Sequence, residues 1–121
     1  MKNNQKSQPK IYKKGWGYEK WIINFDLYCG KILFFNSGKK CSWHYHENKT
    51  ETFYLQSGKL IVYTSPYDNL ESAVETYLLP GESMHIRPKI RHQMVALEDS
   101  ELFEFSTEHF EDDSIRIIKG D

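Results

Sequence analysis

Hydrophobic and polar residues alternate along most of this chain, in short runs rather than long ones. Lys20–Asn24, Tyr28–Phe35, Cys41–His46, Thr52–Leu55, Leu60–Thr64, Ala73–Leu79, Met84–Arg87 and Glu101–Ser106 each read as a strand. Their two-residue period and their wealth of β-branched and aromatic side chains suit a half-buried pleated surface. His92 heads a further strand with Met94 and Ala96 on its face, and Ser114–Ile118 ends the pattern. Glycine and proline punctuate the joints, at Gly38, Gly58, Pro80-Gly81 and Pro88, and residues 65–72 read as a surface loop from their Pro, Asp, Asn and Ser content. Glu47–Thr50 is long enough for a turn that pairs the strands on either side of it. Ser57-Gly58-Lys59 reads as a hairpin turn returning Leu60–Thr64 as a partner strand. No stretch carries a helical period beyond a turn near the C-terminus. About nine or ten short strands predict an all-β fold, a small antiparallel double-sheet jelly-roll barrel.

Composition narrows this picture. A chain of 121 residues makes one domain. Residues 1–14 hold five lysines, no acid and little that is apolar, which predicts a flexible basic arm followed by a single domain over residues 15–121. A net charge of −1 gives no electrostatic case for nucleic acid or membrane as the main partner. No apolar run approaches the ~20 residues of a membrane span, and the N-terminus lacks a hydrophobic signal core, so a cytoplasmic protein is expected. Cys29 and Cys41 are then free thiols, and the sequon Asn48-Lys49-Thr50 is a coincidence.

The candidate chemistry lies between Gly38 and Gly58. On the strand period Ser42, His44 and His46 face one way, and Cys41, Trp43 and Tyr45 the other. Glu51 shares a face with Phe53 and Leu55. Two imidazoles and a carboxylate converging on a point form a chelate for one divalent ion such as Zn, Mn, Fe or Ni. A carboxylate buried among rings without a partner is costly, which itself argues for a cation beside it. His85 reads as a surface or pocket-rim residue.

The spacing Gly38, five residues, His44-x-His46, four residues, Glu51, six residues, Gly58 resembles the first cupin motif. Gly81, five residues, Arg87 and then His92 resembles the second, and implies that His92 is the fourth metal ligand. The second motif departs from the family at Arg87, where proline is usual, at Lys89, where glycine is usual, and at Ala96, where asparagine is usual. Over a longer span, Trp16-Gly17, Ser42, Lys49, Ile86, Glu104 and the run Glu111–Arg116 resemble the cupin-type mannose-6-phosphate isomerases. That resemblance implies aldose–ketose isomerisation of a phosphorylated sugar on the metal. Glu104 is then the candidate base, with Arg116 beside it among the catalytic residues, and Lys49, Arg87 and Lys89 are candidates to hold the phosphate, as is Arg116. Strand parity, however, sets Leu102, Glu104 and Ser106 against Phe103 and Phe105, which would turn Glu104 to solvent. The family's C-terminal Asp-x-Tyr-Gly-Arg segment is absent here. Two other classes fit the same ligands: an Fe(II)-dependent dioxygenase, and a non-catalytic cupin that binds a sugar or other small molecule. Cupins often pair, and the aromatics expected on the surface suit a homodimer.

Overall fold

The computed structural model describes residues 6–121, which form eleven antiparallel strands in two sheets. In chain order these are β1 (Lys10–Lys14), β2 (Gly17–Asn24), β3 (Cys29–Phe35), β4 (Trp43–His46), β5 (Glu51–Ser57), β6 (Leu60–Ser65), β7 (Val74–Leu78), β8 (Ser83–Ile86), β9 (Arg91–Ala96), β10 (Ser100–Ser106) and β11 (Ser114–Ile118). One sheet has the order β1-β2-β3-β10-β5-β8 and the other β11-β4-β9-β6-β7. Turns of 3₁₀ helix at Leu70–Ser72 and Glu111–Asp113 complete the chain. This is a small all-β jelly roll. Among the described residues no helix is long and apolar enough to cross a membrane.

The inward faces follow the two-residue period. In β3, Cys29, Lys31, Leu33 and Phe35 are buried while Gly30, Ile32 and Phe34 between them are not. Leu33, Phe35, Phe53, Leu55, Leu60, Val62, Met94, Ala96 and Leu102 meet between the sheets as one apolar core. At ~25 cal/mol per Å² of apolar surface removed from water, contacts of this kind hold the sheets together.

Three expectations are corrected. The basic arm is shorter than 1–14, because Lys10–Lys14 forms β1 and pairs with β2 from Lys10↔Trp21 to Lys14↔Gly17. Ile11 and Tyr12 supply the strand character that the lysines mask, and the Tyr12 ring lies 4.7 Å from that of Trp21. Residues 1–5 of the expected arm lie outside the described residues. Second, β4 does not pair with β5, nor β5 with β6, since each joint crosses from one sheet to the other. The first crossing is bent by Asp113, whose carboxylate accepts the N–H groups of Glu47 and Asn48 (both 3.1 Å) and Lys49 (3.1 Å). At the second, Gly58 takes φ +93° with its α-carbon against Ser100 and Asp99, where a side chain has no room. Third, Cys41, which the alternation sets on the face away from His44 and His46, joins the core and lines the same cavity as those histidines. Regular pleating begins only at Trp43, so the alternation cannot be extended back to residue 41.

Lys89 keeps the backbone of the glycine it replaces. Its φ is +70°, and its N–H donates to His46 O at 2.7 Å. A side chain in that left-handed conformation costs about 1 kcal/mol.

Candidate metal centre

His44 and His46 come from β4 and His92 from β9, where His44 and His92 are direct partners across the ladder. The rings of His44 and His92 lie 4.3 Å apart, and one nitrogen from each of the three imidazoles falls within 4.8 Å of the others. Glu51 reaches them from the facing sheet. Its Oε2 lies 3.0 Å from His92 Nε2 and 3.4 Å from His46 Nε2. The four residues singled out from spacing thus come together, with the three histidines grouped as a possible metal site and Glu51 beside them, across the barrel interior rather than along a hairpin.

Each imidazole is oriented through its other nitrogen. His44 Nδ1 donates to Ser42 O at 2.9 Å and His92 Nδ1 to Ile90 O at 3.0 Å, while His46 Nδ1 lies 3.2 Å from Ser114 Oγ. Holding Nδ1 this way leaves Nε2 with its lone pair bare, the arrangement found behind metal-bound histidines. The consequence at the centre is testable by elementary electrostatics. Glu51 Oε2 and His92 Nε2 are both buried and neither has a hydrogen-bond partner. Two electron-rich atoms facing each other at 3.0 Å are unfavourable unless a cation lies between them. Burial, with His92 and His46 nearby, holds His44 well below the usual imidazole range, which argues against a fully protonated triad. Burial pushes Glu51 up, but positive charge on the imidazole side, from a proton or a metal ion, together with Lys49 outweighs it and holds the carboxyl well below its usual range. The residues fit one divalent ion.

A cavity of about 270 Å³ opens over this cluster. Glu104 is on its wall and not in solvent: the residue is 4% exposed, and its Oε2 sits 2.6 Å from Lys49 Nζ. The parity of Leu102 and Glu104 was read correctly but assigned to the wrong face. Phe103 and Phe105, which would ordinarily claim the interior, point out. Lys49 is likewise buried, with Glu51 Oε1 at 3.4 Å and His109 Nδ1 at 3.0 Å. Burial pulls its ammonium down, but Glu104 and Glu51 outweigh that and raise it above the ordinary lysine value. Because an ammonium only donates, His109 Nδ1 accepts and its Nε2–H donates to Glu111 Oε1 at 2.9 Å.

Arg116, opposite His44 in the β4–β11 ladder, lines the cavity from an exposed position. Arg87 and Lys89 do not line it. Ile86 is the inward residue at the end of edge strand β8, so Arg87 turns out, and Lys89 is exposed on the following turn. The cations that the sequence reading passed over are Lys14, Lys31 and Lys119, all on the cavity wall, along with Glu19 and His109. Of these, only Lys31 carried a usable signal, since its parity places it with Leu33 and Phe35. His85 is exposed and bonds Thr50 and Thr52 across the β5–β8 edge, away from the imidazole cluster. Cys29 and Cys41 are free and buried, and burial pushes the Cys41 thiol up to about 12.

Two antiparallel sheets enclosing three histidines and a glutamate beneath an open cavity define a β-barrel with a candidate metal centre. Residues 32–105 match the family model described as Cupin domain, and the chain belongs to that family. Among solved structures it is similar to the capsular polysaccharide assembling protein CapF from Staphylococcus aureus, with a TM-score of 0.81 and 17% identity over 93% of this chain and 32% of that one. It is also similar to KdgF from Halomonas sp. (TM-score 0.67, 21% identity, 78% of this chain and 81% of that one). Oxalate decarboxylase from Bacillus subtilis is a third (TM-score 0.78, 14% identity, 89% and 30%). The chain thus spans about a third of the CapF chain, and at these identities the likeness is one of fold. No curated protein sequence matches it.

Proposed function

We propose that this cupin is a metal-dependent isomerase of a small phosphorylated hydroxy-carbonyl compound, interconverting an aldose and a ketose such as mannose 6-phosphate and fructose 6-phosphate. The observation that carries the reading is a carboxylate, Glu104, buried on the wall of the cavity that the imidazole cluster opens into, and held there by Lys49. His44, His46, His92 and Glu51 would hold the ion, which when bound supplies Lewis acidity to substrate oxygens. Glu104 takes the proton from the carbon beside the carbonyl and returns it to the neighbouring carbon. Lys49 fixes Glu104 and Glu51 at once, so the base and the ligand carboxylate keep their places as charge shifts during the reaction. Arg116, with Lys14 and Lys119, supplies positive charge along the cavity wall. The Glu111–Arg116 run that resembles the sugar-phosphate isomerases supports the same assignment. The setting is the cytosol, where two unpaired thiols are at home.

Assay of the metal-loaded protein in deuterated water tests the reading. Turnover of mannose 6-phosphate with solvent deuterium at carbon 1 or 2 is expected, and Glu104→Gln lowers kcat by about 10²–10⁴. No turnover with Zn, Mn, Fe or Co removes it. The close Lys49–Glu104 pair also favours a second reading, a non-catalytic sugar-binding cupin whose wall charges are spent on order; ligand-raised melting without turnover is its signature.

The chain also pairs with a second copy in this proposal. An apolar groove on the outer face of β2, β3 and β10 exposes Ile22 (47%), Tyr28 (55%) and Phe105 (56%), more than scattered surface residues require. Sedimentation equilibrium reporting a monomer at micromolar concentration would contradict that.

A further inference from the structure

The isomerase scheme leaves one buried charge unused. Lys31 occupies an inward position of β3, flanked by β2 and β10, and its side chain is 2% exposed. Lys49, on the same cavity wall, has partners at 2.6, 3.0 and 3.4 Å. Lys31 has none of that kind. Its nearest carboxylate oxygen, Glu19 Oε1, is 3.7 Å from Nζ, beyond hydrogen-bond range, and already accepts Trp21 Nε1–H at 2.9 Å. What holds the ammonium in place is the Trp21 ring, whose centroid lies 4.2 Å from Nζ. The side chain is buried but the ammonium opens on the cavity, and with no protein acceptor within hydrogen-bond range among the described residues its donors face whatever occupies that cavity. The charge balance points the same way. The buried charges on the wall, Lys31 and Lys49 against Glu51 and Glu104, cancel, and a divalent ion on the imidazoles leaves the wall two net positive charges.

We propose that Lys31 is the cavity's anion-binding residue, donating to a carboxylate or phosphoryl oxygen of the guest inside the barrel. The anionic group then lies deep, against β3, and not at the exposed Arg116. It rests on the cavity being the substrate site, as proposed above, but not on isomerisation. Because the ion turns a balanced wall positive, metal and anion strengthen each other's binding, a reciprocal coupling.

Calorimetric titration of the nickel-loaded full chain with inorganic phosphate tests this, with acetate as the carboxylate arm. Loss of one charge-assisted hydrogen bond predicts that Lys31→Met weakens phosphate binding about 10- to 100-fold, more than Arg116→Met does, while Arg87→Met, outside the cavity, stays within about 3-fold of the unaltered chain. Phosphate bound without acetate competition assigns the site to a phosphoryl group, and competition extends it to carboxylates. Should Lys31→Met fail to melt cooperatively, Lys31→Gln carries the same expectation. Phosphate binding unchanged in whichever of the two variants folds, or lost in Arg116→Met instead, overturns the proposal, as does failure of the unaltered nickel-loaded chain to bind either anion. Absence of sugar-phosphate turnover, with anion binding still lost in the Lys31 variant, ends the isomerase reading alone.

Discussion

Along β3, β5, β9 and β10 the same inward face is dry at one end and charged at the other. Lys31 gives way to Leu33 and Phe35, Glu51 to Phe53 and Leu55, His92 to Met94 and Ala96, and Glu104 to Leu102. Between β3 and β10 the register puts like beside like, Leu102 opposite Leu33 and Glu104 opposite Lys31, whereas on the β5 side Leu102 sits opposite Leu55 but Glu104 opposite Phe53, where the two halves meet. The dry half is stabilised by area removed from water, whereas the charged half keeps its shape through pairing, at a desolvation cost that only partners offset.

The largest effect is expected where pairing is broken in the charged half. Lys49→Met strands two buried carboxylates and costs about 3–5 kcal/mol in urea denaturation, whereas adding Glu104→Leu recovers much of that loss. A cost below about 1 kcal/mol would mean that the two halves do not differ in this way. In the dry half Leu102→Ala costs about 2–5 kcal/mol through the cavity it leaves, and metal affinity measured by titration stays as it was. A parallel fall in metal affinity would show the halves to be coupled.

Acid should loosen the charged half first. Burial, then Lys49 and Lys31, hold His109 below its ordinary value of 6.5, so near that value the unfolded chain binds a proton the folded chain refuses. The associated stability is present above 6.5 and lost as pH falls below it toward the folded value. Replacing His109 with Gln removes this share. Urea midpoints of the metal-free variant should change less between about pH 7 and pH 5 than those of the unaltered chain. Equal slopes would contradict the assignment. The smallest effect belongs to the turn beside the metal cluster. Lys89→Gly relieves about 1 kcal/mol of left-handed strain but adds about 0.4–1 kcal/mol of unfolded-state freedom. The melting temperature should therefore rise slightly or stay level, and a clear fall would mean that the lysine side chain itself stabilises the turn.

The strands and the meeting of His44, His46, Glu51 and His92 were legible because both are written in local spacing. The period of two placed Glu51 with Phe53 and Leu55, and His92 with Met94 and Ala96, as they are. Sheet membership was not legible, since the crossing at 47–50 is bent by Asp113 from 64 residues away in the chain. Nor was the direction of β10. Phe103 and Phe105 are the larger apolar residues, yet they join the outer groove with Ile22 and Tyr28, and Glu104 turns inward to an ammonium that lies on a turn with no periodicity to betray it. Arg87 and Lys89 were selected by motif position, and the motif is silent about which way an edge strand's last residue points.

Metal binding by the stripped protein tests the account most directly. Calorimetric titration with Zn, Mn, Fe(II) or Ni should give one ion per chain for at least one of them, and His92→Ala should abolish it while the chain still melts cooperatively. A folded, unaltered chain that takes up none of the four, or a His92→Ala chain that binds as tightly as its parent, would contradict it.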